Sequence, residues 1–202
     1  MIIGLDFDNC IISYDNVFFD TAVEFGLVSP DTIIPRTKQA VRDDLRLRNL
    51  EDAWTEMQGY VYGVAIDNAL AYPDAINTLA QLSRIHDVHI ISHKTQFPFL
   101  GEKYNLHAAA RKWIDKNLRY EGGDAVFAET KIHFNQTKEE KVGKIAAIGC
   151  DVFIDDLPEI LLHSGFPEKT RRFLFQPNTV HQEDNPDYTI VRYWSEFRKA
   201  LT

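Results

Sequence analysis

The stretch Met1–Ile12, MIIGLDFDNCII, sets two aspartates, Asp6 and Asp8, directly behind an apolar run with the make-up of a buried strand. Ending such a strand in two acids is costly, because crowded carboxylates repel one another and lose hydration as they are buried. Residues two apart on an extended strand face the same side, so Asp6 and Asp8 face one place if the strand persists to its end.

A second stretch, DVFIDDLPE (151–159), repeats the arrangement: an apolar run, then Asp155 and Asp156, then Pro158 at a position suited to a turn or a first helical residue. Ligands of open α/β sheets bind outside the carboxyl ends of the strands, so acids at two neighbouring strand ends converge on one crevice. Carboxylates crowded in this way stay ionised when a cation joins them. The donors on offer are oxygens, with no His or Cys cluster nearby, which selects a hard octahedral cation, Mg²⁺ above others.

The rest of the chain supplies a sheet for these strands. Apolar runs at Ile2–Leu5, Val88–Ile91, Ala125–Ala128 and Val152–Ile154 read as strands buried on both faces, the pattern of a parallel sheet. Between them DAINTLAQLSRI places Ala75, Ile76, Leu79, Leu82 and Ile85 on one helical stripe, and NLHAAARKWIDKNL does the same with Leu106, Ala110, Trp113, Ile114 and Leu118. RRFLF and YTIVRYW read as two more strands, and SEFRKAL as a closing helix with Ser195 as its N-cap. The region from Tyr14 to Ala71 breaks the rhythm with helical and loop-like sequence, and reads as an insertion after the first strand. The expected fold is therefore α/β, a Rossmann-like, mostly parallel sheet flanked by helices, with residues 1–13 and 72–202 as the core domain and 14–71 as a small helical cap. No repeat, low-complexity tract or Gly/Ser linker separates the two.

Composition narrows the function classes. The 202 residues are 45% hydrophobic and 12% aromatic, enough to bury a core. A formal net charge of -8 without a long basic run argues against a general nucleic-acid binder. Two cysteines, Cys10 and Cys150, without a CxxC pair exclude a disulfide framework or a zinc site of the usual kind, so a reducing cytosol is expected. The sequence predicts neither a signal peptide nor a membrane span. GxGxxG and GxxxxGK[ST] are both absent, which removes the usual dinucleotide and nucleoside-triphosphate loops.

IIGLDFDNC is similar to motif I, a hydrophobic strand followed by DxD, of the haloacid dehalogenase-like hydrolase superfamily. VHIIS, ending in Ser92, resembles motif II, and VFIDD resembles the DD form of motif IV. Motif III of that superfamily is a lysine near the start of the helix before motif IV. Here QTKEEKVGK offers Lys138, Lys141 and Lys144, with Thr137 and Glu140 in a capping-box pattern, and spacing from Gly149 favours Lys141. The insertion between motifs I and II corresponds to the family's C1 cap.

The resemblance implies a phosphatase. Asp6 would be the nucleophile and Asp8 the general acid and base, with its backbone carbonyl also reaching the metal. Asp156 would be a direct Mg²⁺ ligand and Asp155 a ligand or its support, while Ser92 and Lys141 would hold the phosphoryl oxygens. The implied substrate is a small soluble phosphorylated metabolite. Cys10 stands where the family usually has Thr or Val, and the presence of Asp8 favours phosphate chemistry over carbon–halogen cleavage. A phosphotransferase or phosphomutase would use the same Asp6, and a non-catalytic binding protein would keep the fold without turnover.

Other residues have plainer readings. His93 and Lys94 follow Ser92 and would face the same crevice, within reach of the substrate, if the loop curls inward; otherwise they read as solvated. Arg36, Lys38, Arg42, Arg46 and Arg48 are interspersed with Asp43, Asp44, Glu51 and Asp52, the composition of a mixed solvated face rather than an anion site. The seven histidines show no ligand spacing, and Trp54, Trp113 and Trp194 read as core.

Overall fold

The computed structural model describes residues 1–178 and 185–201. In chain order its elements run β1 (Ile2–Leu5), β2 (Ile12–Ser13), α1 (Asp15–Glu24), α2 (Lys38–Leu47), α3 (Glu51–Gly63), β3 (Leu70–Ala71), α4 (Ala75–Leu82) and β4 (Asp87–His93). They continue with α5 (Leu106–Asn117), β5 (Ile132–Asn135), α6 (Lys138–Ile148), β6 (Val152–Asp155), α7 (Pro158–Leu161), β7 (Arg171–Phe175), β8 (Thr189–Val191) and α8 (Trp194–Ala200).

The chain divides into two compact units, and the first comprises Met1–Ile12, Ala71–Lys94 and Asp115–Thr202. Its sheet has the strand order β5-β4-β1-β6-β7-β8 with parallel pairing throughout, and β2 and β3 form a separate two-stranded sheet. This is the Rossmann-like α/β architecture expected of the sequence. β1 lies between β4 and β6, with Leu5 paired to Ile90 on one side and Ile154 on the other, so the strand ends of the acidic stretches are neighbours. One face of the sheet packs Ile91, Phe153 and Leu174 against Val142 and Ile145 of α6 and Ile160 and Leu161 of α7. Elsewhere Phe173 meets Phe197 of α8 edge-on, and Phe175 packs at a tilt against Trp194 of α8. Gly4 is required in β1 by close approach: a Cβ there would lie 2.5 Å from the Phe153 ring and 2.9 Å from Cys150 Sγ.

The second unit comprises Ser13–Leu70 and Thr95–Ile114. Phe18 stacks on Trp54 at 5.0 Å, and Tyr14 meets Tyr62 edge-on at 4.9 Å, joining α1 to α3. The segment Thr95–Ile114, which includes most of α5, groups here rather than with the sheet: Tyr104 occupies the space that a side chain at Gly63 would need, and Trp113 Nε1 donates to Ala69 O at 2.9 Å.

Three local expectations are corrected. The strand expected at Ala125–Ala128 is a loop: Val126 and Phe127 are buried, but Val126 N donates back to Leu118 O, and the edge strand of the sheet is Ile132–Asn135 instead. Ile85 lies beyond the end of α4 and is 73% exposed. Ser195 is inside α8, whose entry is closed by Glu196 accepting from Arg192 N at 2.7 Å. Among the described residues no helix is long and apolar enough to cross a membrane.

Candidate active site

Parallel pairing on both sides of β1 carries one residue past the strand, where Asp6 N donates to Ile154 O at 2.9 Å. The Asp6 side chain is thereby held buried between two strand ends. The chain then turns tightly: Ile11 N and Ile12 N both donate to Phe7 O, at 3.0 and 3.2 Å, and Asn9 takes the left-handed conformation, φ 55°. Asparagine tolerates that region better than other side-chain-bearing residues. This turn presents Asp8, whose Oδ2 lies 2.8 Å from Lys94 Nζ.

β6 delivers the second acidic pair. Asp155 is fully buried, its Oδ1 accepting from Leu157 N at 3.0 Å, and Asp156 follows half-buried. Carboxylate oxygens of Asp6, Asp155 and Asp156 lie within 4.8 Å of one another. Left alone, three acids this close would be strongly repelled and partly neutralised.

α6 brings a cation to them. Thr137 Oγ1 caps the helix by accepting from Glu140 N at 3.1 Å, while Glu140 reaches back to Gln136 N at 2.7 Å, one residue before the cap. One turn on, Lys141 Nζ stands 2.6 Å from Asp6 Oδ1 and 2.6 Å from Asp155 Oδ2. Burial works to lower the Lys141 pKa, but the carboxylates of Asp155 and Asp6 outweigh it and hold the amine above its ordinary value, fully charged. Asp155 moves upward from the usual carboxylate range, chiefly through burial, with Lys141 opposing and Asp6 adding to the shift. Of the other two candidate lysines, Lys138 pairs instead with Glu159 at 2.7 Å, and Lys144 sits half-buried a turn further along α6.

Ser92 occupies the end of β4, beside β1. Its hydroxyl is buried and has no hydrogen-bond partner among the described residues, a condition that costs about 1–3 kcal/mol unless a ligand satisfies it. Asn135 holds this strand end by donating from Nδ2 to Ser92 O at 3.1 Å. Cys10 is buried close to the acids, its thiol pushed up by burial first and then by Asp6, Asp155 and Asp156. Its carbonyl accepts from Trp194 Nε1 at 3.1 Å.

The structure thus gathers Asp6, Asp155, Asp156 and Lys141 into one cluster and places Asp8 in an ion pair, with Ser92 on the adjoining strand. The donor set fits a divalent cation: the three clustered ligands are all carboxylates, as a hard ion requires. Four acids against the two ammonium groups of Lys141 and Lys94 leave two formal negative charges for it to balance.

Lys94 is the residue that sequence reasoning treated as solvated and the structure buries, at 4% exposure. The available signal was its position two after Ser92, which puts both on one side of an extended strand. His93 points its Nε2 to Gln136 O at 3.1 Å. Arg36, Arg42, Arg46 and Arg48 each pair with an acid of the second unit, namely Asp20, Asp43, Glu51 and Asp44. Among the histidines, His89 and His133 stack with ring nitrogens 3.2 Å apart, and His181 lies outside the described residues.

No family model matches the sequence, and no curated protein matches it either. Solved structures do match over nearly the whole chain. The haloacid dehalogenase-like family hydrolase SP0104 from Streptococcus pneumoniae aligns with a TM-score of 0.62 at 17% identity, covering 100% of this chain and 98% of that one. The HAD-hydrolase YfnB from Bacillus subtilis, solved bound to magnesium, aligns with a TM-score of 0.60 at 10% identity, covering 99% and 97%. A HAD family hydrolase from Deinococcus radiodurans, solved with phosphate and sodium, aligns with a TM-score of 0.52 at 13% identity, covering 99% and 94%. At these identities the likeness speaks for architecture, and the chain has the haloacid dehalogenase-like fold.

Proposed function

We propose that the protein is a Mg²⁺-dependent phosphomonoester hydrolase acting on a small soluble phosphate through an aspartyl-phosphate. The observation that carries this reading is the buried Asp6 carboxylate held by Lys141 inside an all-oxygen acidic cluster, beside the unsatisfied hydroxyl of Ser92.

The carboxylates of Asp6, Asp155 and Asp156 and the carbonyl of Asp8 would hold Mg²⁺, which supplies positive charge against the equatorial phosphoryl oxygens. Lys141 fixes Asp6 and adds a fully charged ammonium at the same place, so an anionic substrate can approach an anionic nucleophile. Ser92 donates its hydroxyl to a phosphoryl oxygen. A carboxylate oxygen of Asp6 forms a bond to phosphorus as the bond to the leaving oxygen breaks. That oxygen keeps the bonding pair and takes a proton from Asp8, giving the alcohol and the aspartyl-phosphate. Water then attacks phosphorus and passes a proton to Asp8, and the Asp6 carboxylate departs with its electron pair. The helical insertion, residues 14–71, takes the role of the C1 cap in selecting the substrate. Free buried thiols at Cys10 and Cys150 suit the reducing cytosol.

The test is inorganic phosphate release from sugar phosphates, nucleotides and an aryl phosphate, with Mg²⁺ or EDTA, for the wild type beside Asp6→Asn. Release that requires Mg²⁺ and disappears in the variant supports the reading. Turnover that survives Asp6→Asn overturns it, and preferential transfer to an added alcohol makes the protein a phosphotransferase.

A further inference from the structure

We propose that Lys94 is a positioning residue for Asp8, fixing how its carboxyl is presented to the leaving group; this rests on the phosphoryl-transfer reading above. Burying an ammonium group costs several kcal/mol unless an anion and good geometry repay it. Lys94 is buried with its Nζ 2.8 Å from Asp8 Oδ2 and 5.8 Å from the centre of the Phe7 ring. The same chain segment, Phe7 and Asp8, thus provides both its anion and an aromatic ring.

The pair is also built on fixed ground. Lys94 N donates to Asn135 O at 2.9 Å, so the β4–β5 ladder continues through it, and Asn135 and Gln136 bind the carbonyl of Ser92 and the ring of His93. Asp8, by contrast, stands on the turn that follows β1, with a partly accessible side chain. A residue on a turn, required to deliver a proton in one direction, gains its orientation from a residue tied by its backbone to the end of the sheet. With the ammonium 2.8 Å from Oδ2, the Asp8 carboxyl is held in one orientation through both half-reactions. Misplacement of a reacting group by about 1 Å costs on the order of 100-fold.

The role separates cleanly from direct binding of the phosphoryl group. An alkoxide leaving group needs its proton, whereas a nitrophenolate leaves without one. The experiment measures kcat/KM, which reports the phosphorylation step, for an alkyl phosphate and for p-nitrophenyl phosphate in wild type, Lys94→Met, Asp8→Asn and the double variant. Lys94→Arg keeps the charge, and thermal unfolding checks the fold of each.

We expect Lys94→Met to lose about 10- to 100-fold on the alkyl phosphate and less than about 3-fold on the aryl phosphate. In the Asp8→Asn background it should add nothing, and Lys94→Arg should recover part of the loss. Equal losses on both substrates, or losses that multiply in the double variant, overturn the proposal by making Lys94 an independent phosphoryl-binding group. Turnover that survives Asp6→Asn in the same assay overturns the underlying reading, and this one with it. Should Lys94→Met not fold, the ratio of alkyl to aryl kcat/KM in Lys94→Arg decides: a lowered ratio supports positioning and an unchanged ratio overturns it.

Discussion

Two clusters of paired charges, one in each unit, use the same chemistry under opposite conditions. Around Asp6 the partners are buried: Lys141 has 2% of its side chain exposed and Asp155 none. On α2 and the start of α3, Arg46 grips Glu51 through two hydrogen bonds of 2.6 and 2.8 Å, yet about half of each side chain is in water. By distance alone the two sets look equally strong. They differ in what each ion gave up to be there. Water still solvates Arg46 and Glu51, so their pairing changes little, whereas Lys141 and its acids have exchanged hydration for one another and cannot lose a partner cheaply. Close geometry marks a pair, and burial marks the one whose chemistry matters.

The comparison can be broken in order of expected effect. Asp6→Asn should lower turnover by at least roughly 10³-fold while leaving the fold intact, judged by phosphate release alongside circular dichroism. Lys141→Met should reduce kcat by roughly 10²–10³-fold, and because it leaves Asp6 and Asp155 without their counter-ion, it should also lower stability by about 3–5 kcal/mol in urea unfolding without metal. Lys138→Met, removing an exposed partner of Glu159, should change neither, and the reverse ranking would move the phosphoryl-binding lysine. Gly4→Ala should cost about 1–3 kcal/mol by crowding Phe153, with the activity of the folded fraction nearly unchanged. Glu51→Gln should leave the midpoint of thermal unfolding where it was, at low and high salt alike; a clear drop would mean that the exposed cluster carries more than its exposure allows.

The sequence was legible where one residue type had one physical reason to be in place. Acids behind both Ile2–Leu5 and Val152–Ile154 pointed to one place because two buried strands end alike, and Asp6, Asp155 and Asp156 do cluster, while the Thr137–Glu140 cap located the helix that carries Lys141. It was illegible where apolar character and strand pairing part company. Ala125–Ala128 is the more apolar segment, yet IHFN takes the sheet edge, because an edge strand buries only part of its surface and accepts His133, while the buried Asn135 is satisfied by the Ser92 carbonyl. For Lys94 the sequence was half legible: its position two after Ser92 hints at the side it faces, but its burial rests on Asp8, 86 positions earlier. The grouping of Thr95–Ile114 with the second unit likewise rests on pairings such as Trp113 with Ala69, which periodicity within a helix does not disclose.

The central place of β1 has a consequence for synthesis. During translation β1 emerges before either neighbour, and β6, which supplies Asp155, is the fourth of the six strands of its sheet to appear. Until then one edge of β1 has no partner, and Asp6 lacks the lysine that lies 135 residues downstream. A nascent chain arrested before residue 141 would therefore expose an unpaired apolar edge, a template for association with other chains. The segment that bears Asp6 is made before either of its partner strands, so products truncated before β6 should be insoluble.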